Sequence, residues 1–113
     1  MFEWAAFGKV KYDGTVFNED IVVSSDGDVY GRDCKDPHVV TRNEVEDSID
    51  SGTKVLLVGT GHYGIVRVLP EAREFLESKH IELVEKPTPE AIKYYNSKAK
   101  NKKKRVTAIV RVA

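Results

Sequence analysis

Cysteine is nearly missing from this chain: its 113 residues hold one, Cys34. A lone cysteine excludes an intramolecular disulfide and any zinc site built on cysteines. No apolar run approaches the ~20 residues that a membrane-spanning helix requires. The first ten residues carry Glu3 and no basic residue ahead of Lys9, unlike a secretory signal or an arginine-rich transit peptide. Net charge is absent too, with 18 basic residues against 18 acidic ones. That balance argues against a dedicated nucleic-acid or membrane-surface protein. No H-E-x-x-H, P-loop, EF-hand or G-x-S-x-G pattern occurs. What remains is 41% apolar and 32% charged residues, the composition of an ordinary globular protein. A chain this long buries roughly 65% of its unfolded surface and needs no staples. The expectation is one cytoplasmic α/β domain spanning residues 1–113, with no cofactor and no metal.

The charge is balanced overall but not locally. Residues 1–52 hold 12 acids and 5 bases, a net of −7, whereas residues 53–113 hold 13 bases and 6 acids, a net of +7. Such asymmetry hints at a partner surface or self-association. The plainer expectation, adopted here, is that the two halves neutralise each other inside one fold.

The first 31 residues read as strands. Lys9–Tyr12 and Thr15–Phe17 flank Asp13-Gly14, a dipeptide suited to a type I′ hairpin turn. The same signal recurs at Asp26-Gly27, between Ile21–Val23 and Asp28-Val29-Tyr30. Residues 32–39, polar and containing Pro37, read as a loop. Thr41 and Glu44 have capping-box spacing, with Val40 and Val45 as a hydrophobic staple. Gly52 is placed to stop that helix. Residues 54–59 form a continuous apolar strand, as in a parallel sheet covered on both faces. Pro70 suits a first helical turn, and Ala72, Phe75 and Leu76 give that helix its apolar stripe. Residues 81–84 read as a strand. Thr88-Pro89 reads as an N-cap and N1 pair, with Ala91, Ile92, Tyr95 and Ala99 at helical spacing. Residues 106–112 form the last strand. The order predicts a three-layer α/β fold: a mixed, mostly parallel central sheet flanked by helices, with N-terminal hairpins on its edge or one face.

The sharpest local signal is Gly59-Thr60-Gly61-His62-Tyr63-Gly64, which has G-x-G-x-x-G spacing after a buried strand. Glycines at such a turn allow close approach to a phosphate held by N–H groups. Here, however, Ile65 to Leu69 intervene before the helix signal at Pro70, unlike a dinucleotide motif. Gly59, Thr60, Gly61, His62 and Tyr63 are therefore candidate ligand-binding residues, with His62 able to serve as a base only if a carboxylate orients it. Cys34, Asp36 and His38 share one polar loop, read as a loop with a free thiol. Lys98, Lys100, Lys102, Lys103, Lys104 and Arg105 make a basic tract able to touch phosphates without sequence choice. We read it as a solvated loop before the last strand, with Lys102, Lys103 and Lys104 exposed. No catalytic residues can be assigned.

Phe7-Gly8, Asp20 to Val23, His38 with the capped helix after it, Val58-Gly59-Thr60-Gly61, Pro70-Glu71, and Thr88-Pro89-Glu90-Ala91-Ile92 with Tyr95-Asn96 together resemble a small single-domain family. Its members include uncharacterised archaeal and bacterial proteins, a vertebrate adipogenesis-associated protein with an Mth-type domain, and a mitochondrial assembly factor of respiratory complex I. The resemblance covers nearly the whole chain. It implies a three-layer fold with one strand antiparallel to the rest, and binding or assembly work in place of turnover. The first functional expectation is accordingly a non-enzymatic protein-interaction or assembly module with a protein partner, a homo-oligomer being compatible. The second is a small-ligand or anion-binding protein, an enzyme among the options, with its site at the 59–64 turn. The third is a weak nucleic-acid binder through the tract 98–105.

Overall fold

Val55 and Leu57 point to one side of their strand and Leu56 and Val58 to the other, and all four are buried. Only a sheet covered on both faces accommodates that pattern. The computed structural model describes residues 1–32, 36–99 and 105–113, and contains that sheet. Its five strands run in the order β5 (Val29–Gly31), β4 (Ile21–Val23), β10 (Val106–Arg111), β7 (Val55–Thr60) and β9 (Glu82–Lys86). β10, β7 and β9 are mutually parallel, whereas β4 pairs antiparallel with both β10 and β5. β4 is thus the one strand running against the other four, as the resemblance implies.

Two cores lie on the two faces. On one face, α1 (Arg42–Ser48), α2 (Pro70–Ser78) and the short parallel pair β6 (Val39–Val40) and β8 (Arg67–Val68) cover Val22, Leu56, Val58 and Ile109. On the other, α3 (Thr88–Ala99) and the meander β1 (Phe2–Ala6), β2 (Lys9–Tyr12) and β3 (Thr15–Phe17) cover Ile21, Val23, Leu57, Ala108 and Val110. The N-terminal strands therefore do both things expected of them: β4 and β5 extend the sheet edge, and β1 to β3 cover a face. Asn96 of α3 fastens the meander. Its Oδ1 accepts from the Phe2 N–H at 2.9 Å and its Nδ2 donates to the Phe2 carbonyl at 2.7 Å.

Several local expectations are corrected. Asp13-Gly14 makes the two-residue turn, with positive φ at both residues. Asp26-Gly27 instead sits in a five-residue loop, closed by Ser24 bonding Gly27 and Asp28 through its backbone. The Ser24 hydroxyl oxygen also accepts the Asp26 and Asp28 N–H groups, so side-chain capture outcompetes the tight turn. The first helix ends at Ser48 rather than running to Gly52. There the Asp50 carboxylate accepts from Gly52 N–H at 2.8 Å and from the Ser25 hydroxyl at 2.6 Å, making a loop of its own. The strand expected at 81–84 lies at Glu82–Lys86, because its pairing with β7 continues to Gly59↔Lys86. Residues 32–39 are not wholly loop, since Val39 joins β6. Cys34 and Lys100, Lys102, Lys103 and Lys104 lie outside the described residues.

The two charge halves do meet within the fold. Arg105 pairs with Asp26, and Arg111 pairs with Glu44 at 2.6 Å.

Candidate functional site

At the carboxyl end of β7 the chain must leave the sheet sharply. Gly61 does so at φ +95°, and a side chain there would overlap the Ala113 carbonyl oxygen. The turn's polar backbone is used internally. Gly61 N–H donates to the Thr88 hydroxyl at 3.1 Å, while the Gly61 carbonyl accepts from Gly64 N–H at 3.1 Å and Thr88 N–H at 2.9 Å. Val66 N–H donates to the Thr60 carbonyl at 3.0 Å. Thr88 is therefore not a cap for its own helix: it is the first residue of α3, and its hydroxyl donates to the Arg111 carbonyl at 2.6 Å. The Pro87 carbonyl receives Glu90 and Ala91 N–H instead. One threonine thus joins the ends of β7, α3 and β10. No helix opens from the turn, since β8 comes before α2.

The candidate residues separate accordingly. Gly59 and Thr60 are buried within β7, and Gly61 is buried in the turn. His62 sits edge-on to Phe7 and Tyr63, with ring centroids 6.2 Å and 4.9 Å away. Its Nδ1 is buried and has no hydrogen-bond partner among the described residues. Tyr63 is 74% exposed and stands at the mouth of a cavity of about 200 Å³. Phe7, Pro37, Ile65, Val66 and Ala113 supply most of the remaining wall, with Asp20, His38 and Arg111 as its polar members. Phe7 and Ile65 are themselves 60% and 61% exposed, so the rim is apolar and open to solvent. Among the described residues, no group of three or more His, Cys, Asp or Glu side chains is placed to hold a metal ion.

The cavity's position follows from topology. At the carboxyl end of the sheet the chain leaves β7 toward α2 on one face and leaves β9 into α3 on the other, so the two crossovers diverge there. A crevice opens in α/β sheets where crossovers diverge in this way. Because β4 runs antiparallel, it is the segment entering that strand, Asp20, which reaches the same end of the sheet.

Arg111 forms part of the floor. It is 1% exposed although it occupies a central strand. Its guanidinium donates to both Glu44 carboxylate oxygens, at 2.6 Å and 2.7 Å, to the Val39 carbonyl at 2.9 Å and to the Pro37 carbonyl at 3.3 Å. Asp20 stands 3.9 Å away, and Arg32 approaches Glu44 at 3.7 Å. Glu44 therefore completes only half of the predicted capping box. Thr41 accepts its N–H at 3.2 Å, but its carboxylate goes to the arginine. The sequence reading overlooked Phe7, Asp20, Ile65, Val66 and Arg111 as parts of one site. The signal available was Arg111 itself, a charge inside the apolar run Val106–Val112, which has to find a buried counter-charge.

The family described as "Protein of unknown function (DUF498/DUF598)" matches residues 2–110. The chain belongs to that family. Among solved structures, a conserved hypothetical protein from Pyrococcus horikoshii OT3 is 35% identical with a TM-score of 0.86, the match covering 100% of this chain and 98% of that one. The structure called MT938 is 29% identical with a TM-score of 0.82, covering 100% and 97% of the two chains. A Bordetella pertussis protein described as a Mth938-like domain shares the fold at 19% identity, with a TM-score of 0.72 and coverage of 95% and 82%. No curated protein matches the chain. No helix among the described residues is long and apolar enough to cross a membrane.

Proposed function

We propose that this member of the DUF498/DUF598 family is a protein-interaction module that captures one large apolar side chain of a partner polypeptide in the cavity beneath Phe7, Tyr63 and Ile65. The observation that carries the reading is the apolar rim. Three large apolar side chains stand more than half exposed around a single opening. Leaving such a patch in water is unfavourable, and contiguous exposed apolar surface commonly marks an interaction site. Protein interfaces draw most of their affinity from a few anchors, often aromatic, that are seated in well-packed pockets and ringed by contacts that exclude water. The size also suits: an apolar cavity of roughly 150 Å³ accepts a benzene ring, and this one measures about 200 Å³. The arginine floor is already paired with Glu44, and the turn's N–H groups of Gly61, Gly64 and Val66 are spent within the protein. Both facts favour an uncharged guest over a phosphate. The sequence resemblance to proteins with assembly roles supports the same reading.

The test is selection of peptides from a random display library on the wild-type protein, followed by binding to Tyr63→Ala and Ile65→Arg. Enriched peptides should share one large apolar residue, and Ile65→Arg should weaken them at least tenfold. Peptides without such a residue, or peptides that bind Ile65→Arg as well as wild type, would overturn the reading. Titration with inorganic phosphate and mononucleotides tests the anion alternative, and saturable binding that depends on His62 would favour it.

A further inference from the structure

We propose that two copies of this chain associate through the outer edge of β9, pairing antiparallel about a two-fold axis at Val84. β9 ends the central sheet, with β7 on one side and no described strand on the other. Glu82 N–H donates to the Lys54 carbonyl, which fixes how the strand faces. In parallel pairing, residues 82, 84 and 86 turn their backbone groups toward β7, and Leu83 and Glu85 turn theirs outward. An antiparallel copy can meet both outward residues in one register only: Leu83 opposite the second copy's Glu85, and the reverse. That register supplies four backbone hydrogen bonds and places Val84 opposite Val84.

The side chains favour the same register. Lys86 lies 5.8 Å from the Tyr94 ring of α3, and Glu82 acts electrostatically on that same tyrosine. Glu82 and Lys86 therefore share the α3 face of the strand. In the proposed pairing Glu82 of each copy stands opposite Lys86 of the other, in a non-hydrogen-bonded position where side chains approach most closely. Glu85 faces the α2 side and already pairs with Arg73 at 2.6 Å, so it tolerates an apolar neighbour in Leu83. Shifting the register by one pair in one direction brings Glu85 opposite Glu85, which is repulsive, and in the other direction sets Leu83 opposite Leu83 and separates Glu82 from Lys86. Charges on an edge strand usually guard against such pairing. Here their spacing makes them neutralise each other under two-fold symmetry. The surface is distinct from the Phe7–Tyr63–Ile65 cavity, so neither inference depends on the other.

Sedimentation equilibrium of the full chain tests it. The mass should rise from 12.7 kDa toward twice that value with concentration. Lys86→Glu should weaken the dimer at least tenfold, and the exchange Glu82→Lys with Lys86→Glu should restore it. In a Cys34→Ser background, Val84→Cys should cross-link under mild oxidation, since directly opposed residues of a non-hydrogen-bonded pair lie about 4.5 Å apart, within disulfide reach. Leu83→Cys should not. A chain that stays monomeric up to about 1 mM, a charge exchange that fails to restore association in folded protein, or equal cross-linking at 83 and 84 would overturn the proposal.

Discussion

Replacing Gly61 with alanine probes the corner on which the candidate site is built. Two costs add. The residue holds φ +95°, and a left-handed backbone costs a residue with a Cβ roughly 1–2 kcal/mol. The new methyl also overlaps the Ala113 carbonyl oxygen, and overpacking of this kind costs about 1–3 kcal/mol. Alanine returns somewhat under 1 kcal/mol by restricting the unfolded chain. Gly27 supplies the control. It has φ +89°, and nothing lies within 4 Å of where its Cβ would be, so Gly27→Ala carries the strain without the collision. For a chain of this size each 1 kcal/mol lowers the melting temperature by about 4 °C. Gly27→Ala should therefore lose about 4 °C, and Gly61→Ala about 8–16 °C, measured by circular dichroism or calorimetry under identical conditions. If the two variants melt together, the close approach of β7's turn to the end of β10 is not what demands glycine, and the reasoning fails.

The Arg111–Glu44 pair should behave as buried pairs do. Arg111→Met alone should cost about 3–5 kcal/mol in urea titration, and the double variant Arg111→Met with Glu44→Leu should regain most of it. Thr88→Val should cost about 1–3 kcal/mol by stranding the buried Gly61 N–H, whereas Thr88→Ser should stay near wild type. The Asp50 carboxyl is held below its ordinary range, chiefly by the Ser25 hydroxyl and with help from the Gly52 N–H. A lowered folded pKa gives stability that is present above the unfolded value and lost as the pH falls through the folded one. The penalty of Asp50→Asn should thus be seen at pH 7, shrink below about pH 4 and vanish in stronger acid. A penalty of equal size at pH 7 and pH 2 would remove the carboxylate from that role.

Periodicity made the middle of the fold legible. An unbroken apolar run at 55–58, helices opened by Thr41 and Pro70, and the alternation of strand and helix all survive in β7, α1, α2 and the parallel trio β7, β9 and β10. What periodicity cannot carry is strand direction: nothing in Ile21-Val22-Val23 says that it runs against β10. The family resemblance implied that one strand is antiparallel, and the structure identifies it as β4. Polar side chains misled where they had two partners to choose from. Thr88 has a good N-cap sequence, but its hydroxyl serves Gly61 and Arg111, residues 27 and 23 positions away. Glu44 likewise leaves its own helix for a strand 67 residues on. Of the candidate ligand residues, only Tyr63 lines the cavity. Its other walls come from the segments entering β2, β4, β6 and β8 and from the end of β10, and Asp20 joins them only because β4 is antiparallel.

Arg111 then raises the question of why a fully buried strand keeps a charge at all. A buried ion pair seldom stabilises more than well-packed apolar side chains of the same volume, because desolvation offsets its attraction. Its value here lies in geometry. One rigid guanidinium grips the Glu44 carboxylate with two N–H groups and spends others on the Pro37 and Val39 carbonyls. Those partners belong to α1, to the loop ahead of β6 and to β6 itself, three segments that a leucine at position 111 would touch but not orient. The same arginine lines the cavity floor, and its own carbonyl is held by Thr88, which in turn holds the Gly61 turn. The cavity therefore inherits its shape from directional bonds rather than from apolar contact alone. That is the arrangement expected of a pocket that must exist before its guest arrives, since a preformed cavity spares the guest the cost of ordering the wall.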